Sequence, residues 1–296
     1  MAVHPDGRLT LVAVSGSFRD PPDLWIARLD PDGSLRSQFG LGRPGVEDGP
    51  AVVAGADGRT YVSAISCETP PINGDAWIAA LNDDGTVAWQ KTVGADGWDG
   101  AHVAAADPEG LLLVGQTDNS DSRDCAAWIL RLAYSGELLW QKALSSGGCD
   151  AATGAFAMDA GGWVVAGRAN PGDILPNRTW IGALGSDCVL GEPLFLHGRS
   201  NSLLAAVVMP LGADVIVVAW ENGGPADPVD TVVARLGLPP DFFACGLLES
   251  FPLAEPALHT VAADTYASPY PTDGSTADAA VSFRDEPAPV ETLCDG

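Results

Sequence analysis

Residues 75–94 read DAWIAALNDDGTVAWQKTVG: a tryptophan heads an apolar run, an Asp-Gly pair follows, and a second tryptophan opens another run. Two apolar runs joined through Asp-Gly are hairpin chemistry, because glycine supplies the positive φ that tight turns require. The phrase returns at 23–40 as DLWIARLDPDGSLRSQFG and at 126–144 as AAWILRLAYSGELLWQKAL. Aligned on it, the chain shows WIARL at Trp25, WIAAL at Trp77, WILRL at Trp128, WIGAL at Trp180, VVARL at Val232 and a weaker AVSF at Ala280. The steps are 52, 51, 52, 52 and 48 residues.

A second run precedes each copy, as in DGRLTLVAVS, DGRTYVSAIS and EGLLLVGQT, and turn residues separate the runs. Each unit thus reads as four short strands in an antiparallel meander, with no amphipathic run of helical length. A unit of this period and content predicts an all-β chain built as a six-bladed β-propeller of four-stranded antiparallel blades, since such sheets cover their apolar faces only by stacking on neighbours. The whole chain, 1–296, is expected to be one domain with repeats at about 1–43, 44–95, 96–145, 146–198, 199–253 and 254–296. The alternative is five blades with a C-terminal extension, ALHTVAAD near residue 260 completing the first blade.

Composition narrows the partners. With 15 Lys and Arg against 39 Asp and Glu, the net charge of −24 repels nucleic acid and anionic membrane surfaces. No apolar run is long enough to cross a membrane, so no membrane insertion is expected. Met1 leads into AVHPDGRLTLVAVSG without a basic segment and apolar leader, so any export signal is expected to have been removed. The six cysteines show no zinc-ligand spacing and suit disulfides in an oxidising compartment. Cys125 with Cys149 is the best candidate bridge, which predicts a secreted, periplasmic or cell-surface protein.

The stretch DAWIAALNDDGTVAWQKTVGADGWDGAHVAAADPEGLLLVGQT resembles the tandem repeats of bacterial secreted proteins described as PQQ-like or Trp-rich β-propeller repeats. The resemblance spans nearly the whole chain and is strongest over residues 20–184. It implies a propeller and leaves function open, because propellers host binding scaffolds and enzymes alike. No quinone-site residue carries over.

Trp25, Trp77, Trp128 and Trp180 recur at one position, which is what packing between blades requires. Asp30, Asp32, Asp83 and Asp84 flank turn glycines without the distant acid of a calcium loop, and read as turn residues. Asp118, Asp121 and Asp124 cluster in one loop, which makes it a better cation candidate than the turns, yet it reads first as a solvated loop. Asp48, Asp99, Asp150 and Asn201 recur at steps of 51 before the first strands, around one mouth of the expected channel. A carboxylate there either binds a cation or polar ligand, or accepts backbone N–H groups and fixes a loop. Trp98, His102 and His259 complete the candidate ligand-binding set; His102 and His259 lie three periods apart, on opposite sides of a six-bladed ring. No nucleophile elbow, Walker loop or metal motif occurs, and no catalytic residue is assigned.

These features predict a monomeric binding module for a protein, glycan or small-molecule ligand, with no cofactor. The alternatives are a hydrolase, lyase or isomerase holding a divalent cation such as calcium among channel-lining Asp and His, and a structural repeat domain of a larger surface protein.

Overall fold

The computed structural model describes residues 1–16, 23–43, 45–67, 74–94, 97–118, 125–158, 161–170, 178–185, 189–191 and 193, and beyond these the strands named below. After residue 193 only backbone is described, apart from the side chains of 215–218. Every described element is a β-strand. The first repeat supplies β1 (Ala2–Val3), β2 (Leu9–Ser15), β3 (Asp23–Leu29) and β4 (Leu35–Gly42). The second supplies β5 (Val46–Ala54), β6 (Thr60–Cys67), β7 (Gly74–Leu81) and β8 (Val87–Gly94). The third supplies β9 (Asp99–Asp107), β10 (Gly110–Asp118), β11 (Cys125–Leu132) and β12 (Leu138–Leu144). The fourth supplies β13 (Ala151–Ala157), β14 (Trp163–Ala169), β15 (Arg178–Leu184) and β16 (Leu194–Leu196). In each, consecutive strands pair antiparallel, so four repeats form four-stranded meanders.

Turn chemistry drives this register. Gly33, Gly85 and Gly136 end the hairpins between third and fourth strands at φ of +85°, +91° and +80°. The acid before the glycine braces the turn: Asp32 accepts from Ser34 N and Oγ, and Asp84 from Thr86 N and Oγ1. These aspartates are the Asx-type braces expected of such turns.

The sheets stack face to face, each first strand against the second and third strands of the sheet before it: β5 on β2 and β3, β9 on β6 and β7, β13 on β10 and β11. Strand alternation sends neighbouring side chains to opposite seams. Trp77 packs with Leu24, Ile26 and Leu41 of the first sheet, whereas Ile78 joins Val103, Leu113 and Trp128 of the third. Ile129 and Trp180 share the next core with Val165. A third strand buried on both faces is therefore apolar at nearly every position: β11, CAAWILRL, is buried throughout, with Arg131 its one charged residue. Trp25 heads the stack and is only half-buried, whereas its three later copies are fully buried.

The tryptophans also carry a polar tie that sequence reading missed. Nε1 of Trp25, Trp77 and Trp128 donates to Oε1 of Gln38, Gln90 and Gln141, each 13 residues on, at 3.0, 3.2 and 3.1 Å. A buried indole N–H needs an acceptor, and the fourth strand provides it. In the fourth repeat that place is Pro193, and the Trp180 N–H is buried without a hydrogen-bond partner among the described residues.

The six-bladed expectation is met only in its coarser part. The fifth repeat contributes three strands, β17 (Leu203–Leu211), β18 (Asp214–Asn222) and β19 (Val229–Gly237), and β17 packs on β14 and β15. The next strand, β20 (Leu248–Ser250), pairs with β16 of the fourth sheet instead. The sixth repeat forms no sheet of its own among the described residues. Its strands β21 (Val261–Asp264) and β22 (Ser268–Pro271) extend the outer edges of β8 and β4, so ALHTVAAD does not complete the first sheet. Among the described residues the sheets are not closed into a ring. SPYP suits an outermost strand, because Pro269 and Pro271 have no N–H with which to bond a further one.

Candidate functional site

The register places the acid series one residue away from its sequence reading at the first copy. Asp99 stands opposite Thr117 and Glu47 opposite Ser66, while Ala151 opposite Arg168 sets Asp150 level with Ala169. Glu47, Asp99 and Asp150 are therefore the equivalent acids, exposed by 0, 1 and 0 %. Asp48 is exposed, and among the described residues its carboxylate accepts only from Gly49 N, at 2.7 Å. A constant step of 51 hid this. The tryptophans of the same two repeats, Trp77 and Trp128, are 51 apart, but an extra residue at the irregularity between Asp48 and Ala51 sets Glu47, 52 before Asp99, at the equivalent place.

Each buried acid fastens the connections around it. Asp99 Oδ1 accepts Thr117 Oγ1–H at 2.5 Å and Asp118 N–H at 3.3 Å, and Asp118 N also donates to the Trp98 carbonyl. Asp150 accepts from Ser146 N, Ser146 Oγ and Asn170 N at 2.5, 2.6 and 2.7 Å. Glu47 Oε1 accepts from Arg43 N at 3.1 Å and Ser66 Oγ at 3.4 Å. Asp118 and Asn170 open the second-to-third-strand connections, so the acid at the first strand of each of these two sheets pins the start of that sheet's own connection. Burial pushes the Asp150 carboxyl up, and the donors from Ser146 and Asn170 offset part of that rise. Burial pushes Glu47 up to about 8, reinforced by a hydrogen bond to the Asp23 carboxyl and its negative charge.

Trp98, one residue before Asp99, lies against Gly74: a Cβ on Gly74 would stand 2.8 Å from Trp98 Nε1 and 3.0 Å from Cys67 Sγ. One repeat on, the same two positions are Cys125 and Cys149, joined by the expected disulfide with Cα atoms 4.2 Å apart. A seam closed by indole over glycine in one place is closed covalently in the next. Among the described residues Cys67 keeps a free thiol.

His102 lies half-buried on β9 with Nε2 3.5 Å from the Thr153 carbonyl of β13, and burial lowers its pKa. It faces the seam between the third and fourth sheets. Asn201, His259, Asp121 and Asp124 lie outside the described residues, as do Cys188, Cys245 and Cys294. The structure therefore brings Asp99, Trp98 and the Cys125–Cys149 bridge to the same end of the sheets, with Asp48 at that end but exposed. No three His, Cys, Asp or Glu side chains converge as a metal-ligand group among the described residues. No described helix is long and apolar enough to cross a membrane.

Fold and site together define an all-β repeat protein of stacked antiparallel sheets whose repeated acids tie down connecting loops. No protein-family model matches the chain, and no curated protein is similar to it.

Proposed function

We propose that this chain is a secreted or cell-surface protein of β-propeller type, its repeats forming a ring of sheets, and that it acts as a binding module for an extracellular protein or glycan. The partner is read by the connections between second and third strands. One observation carries this reading: buried acids hold the bases of these connections in a repeated way, while the connections themselves differ in every repeat. They read CETPPING, DNSDSRDC, NPGDILPNR and ENGGPADPVD, and their interiors lie outside the described residues. A constant frame that presents variable loops is the arrangement of a recognition surface.

The acid row itself is not the ligand site in this reading, because Asp99 and Asp150 are buried and engaged by loop donors. The Cys125–Cys149 bridge supports an oxidising compartment, and the resemblance to secreted PQQ-like repeats agrees with it. The test is binding of the whole chain to arrays of extracellular glycans and receptor ectodomains. A bound ligand is expected to be lost when residues 119–124 or 171–177 are replaced by Gly-Ser of equal length, and kept in Asp48→Asn. Binding indifferent to replacement of both connections overturns the reading.

A further inference from the structure

At the opposite end of the first two sheets, His4, Arg8, Thr10, Arg28, Arg36 and Asp83 line a small surface cleft. Three guanidinium groups meet there in a chain with 15 basic residues against 39 acidic ones. Two of them are neutralised locally. Arg8 holds Asp6 and Asp83 at 2.5 Å each, and Arg36 reaches the other Asp83 oxygen at 3.6 Å.

Arg28 is different. It is 7 % exposed and donates to two backbone oxygens, Asp83 O at 2.5 Å and Asn82 O at 2.9 Å. Its Nε is buried with no hydrogen-bond partner among the described residues, and no carboxylate forms an ion pair with it there. A buried guanidinium without a carboxylate is costly, because backbone carbonyls offer no full charge.

The molecule contains its own comparison. Arg131 stands in the third repeat where Arg28 stands in the first, three residues after the tryptophan, and is 2 % exposed. There the guanidinium pairs with the carboxylate of Asp107. Asp107 lies opposite Gly110 at the end of the first hairpin, and its counterpart in the first sheet, across from Arg8, is His4. In the second repeat the two positions are Gly55 and Ala80, with neither charge. Guanidinium and carboxylate are thus present together in the third repeat and absent together in the second. In the first, the guanidinium stands with a histidine, which hydrogen-bonds Thr10 Oγ1 at 2.9 Å and whose burial, with Arg8 beside it, disfavours its charged form.

We propose that the cleft binds a carboxylate group, which takes at Arg28 the place that Asp107 takes at Arg131, with Arg8 and Arg36 at its rim. The ligand is a small organic acid or a carboxylate borne by a peptide, of which the carboxylate group alone enters the cleft and the rest stays in solvent. The planar fork of arginine matches a carboxylate, and this is the group the fold already uses at the equivalent place.

The experiment is calorimetric titration of the full chain at constant ionic strength with succinate, with an acetylated, amidated Gly-Asp-Gly peptide, and with inorganic phosphate. Succinate or the peptide is expected to bind one to one, and whichever binds tighter identifies the source. His4→Asp supplies an internal carboxylate as at Asp107, and is expected to weaken binding at least tenfold while raising the melting temperature. Arg36→Ala, at a half-exposed rim position, is expected to weaken binding several-fold with unchanged melting. No binding of either carboxylate, binding of phosphate alone, or equal affinity in His4→Asp overturns the proposal.

Discussion

At the scale of single residues, the buried acids do more for the fold than their number suggests. Glu47 is held neutral by burial and by Asp23, with its pKa raised from 4.5 to about 8. The folded state therefore binds a proton that the unfolded state releases. That contribution to stability is complete below about pH 4.5 and is lost as pH rises through 8. Melting temperature measured from pH 4.5 to 8.5 is expected to fall more in the wild type than in Glu47→Gln, which has no proton to lose; parallel profiles would contradict this. The Trp-to-Gln ties offer a second measurement. Gln90→Leu leaves the fully buried Trp77 N–H without its acceptor and is expected to cost about 1–3 kcal/mol in urea unfolding. Of these features the tryptophans and the hairpin turns were legible in the sequence, because each is local and repeats. The partnership of Trp77 with Gln90 was legible only in retrospect as a constant spacing of 13. Glu47 was not read, because a register irregularity between Asp48 and Ala51 breaks the simple count.

At the scale of strands and seams, the molecule closes equivalent junctions in different ways. Trp98 over Gly74 ties the second sheet to the third, and Cys125–Cys149 ties the third to the fourth. The bridge closes a loop of sequence separation 24, for which chain entropy gives about 3 kcal/mol. Cys125→Ser with Cys149→Ser is expected to lower unfolding free energy by about that amount, and reductant should then have no further effect on the double variant. The pairing was readable from loop length and expected face. What could not be read was that Trp98 occupies the same junction, since indole and cystine share no sequence signal. Strand order in the first three repeats was equally legible, because period-2 alternation and turn chemistry agree at every step. It failed where the repeat erodes: β20, β21 and β22 each add to an outer edge, and an outer edge accepts any extended segment that offers backbone donors and acceptors.

At the scale of the whole molecule, the repeats form a stack in which each sheet covers its neighbour. Trp25, at the head of that stack, is only half-buried. In the proposed ring, a sheet from the far end of the chain covers that face and gives Trp25 the environment of its later copies. The sequence repeat speaks to the blade and not to closure, because closure depends on the last repeat, where the pattern is weakest. The charge of −24 suits an isolated, soluble ring, and the variable connections then share one rim as a recognition surface. Small-angle X-ray scattering on the full chain tests this most directly. A closed ring predicts a radius of gyration of about 19 Å, the value for a compact chain of this length, with a single-peaked distance distribution. A radius well above that value, with a long tail in that distribution, would mean an open stack and contradict the ring.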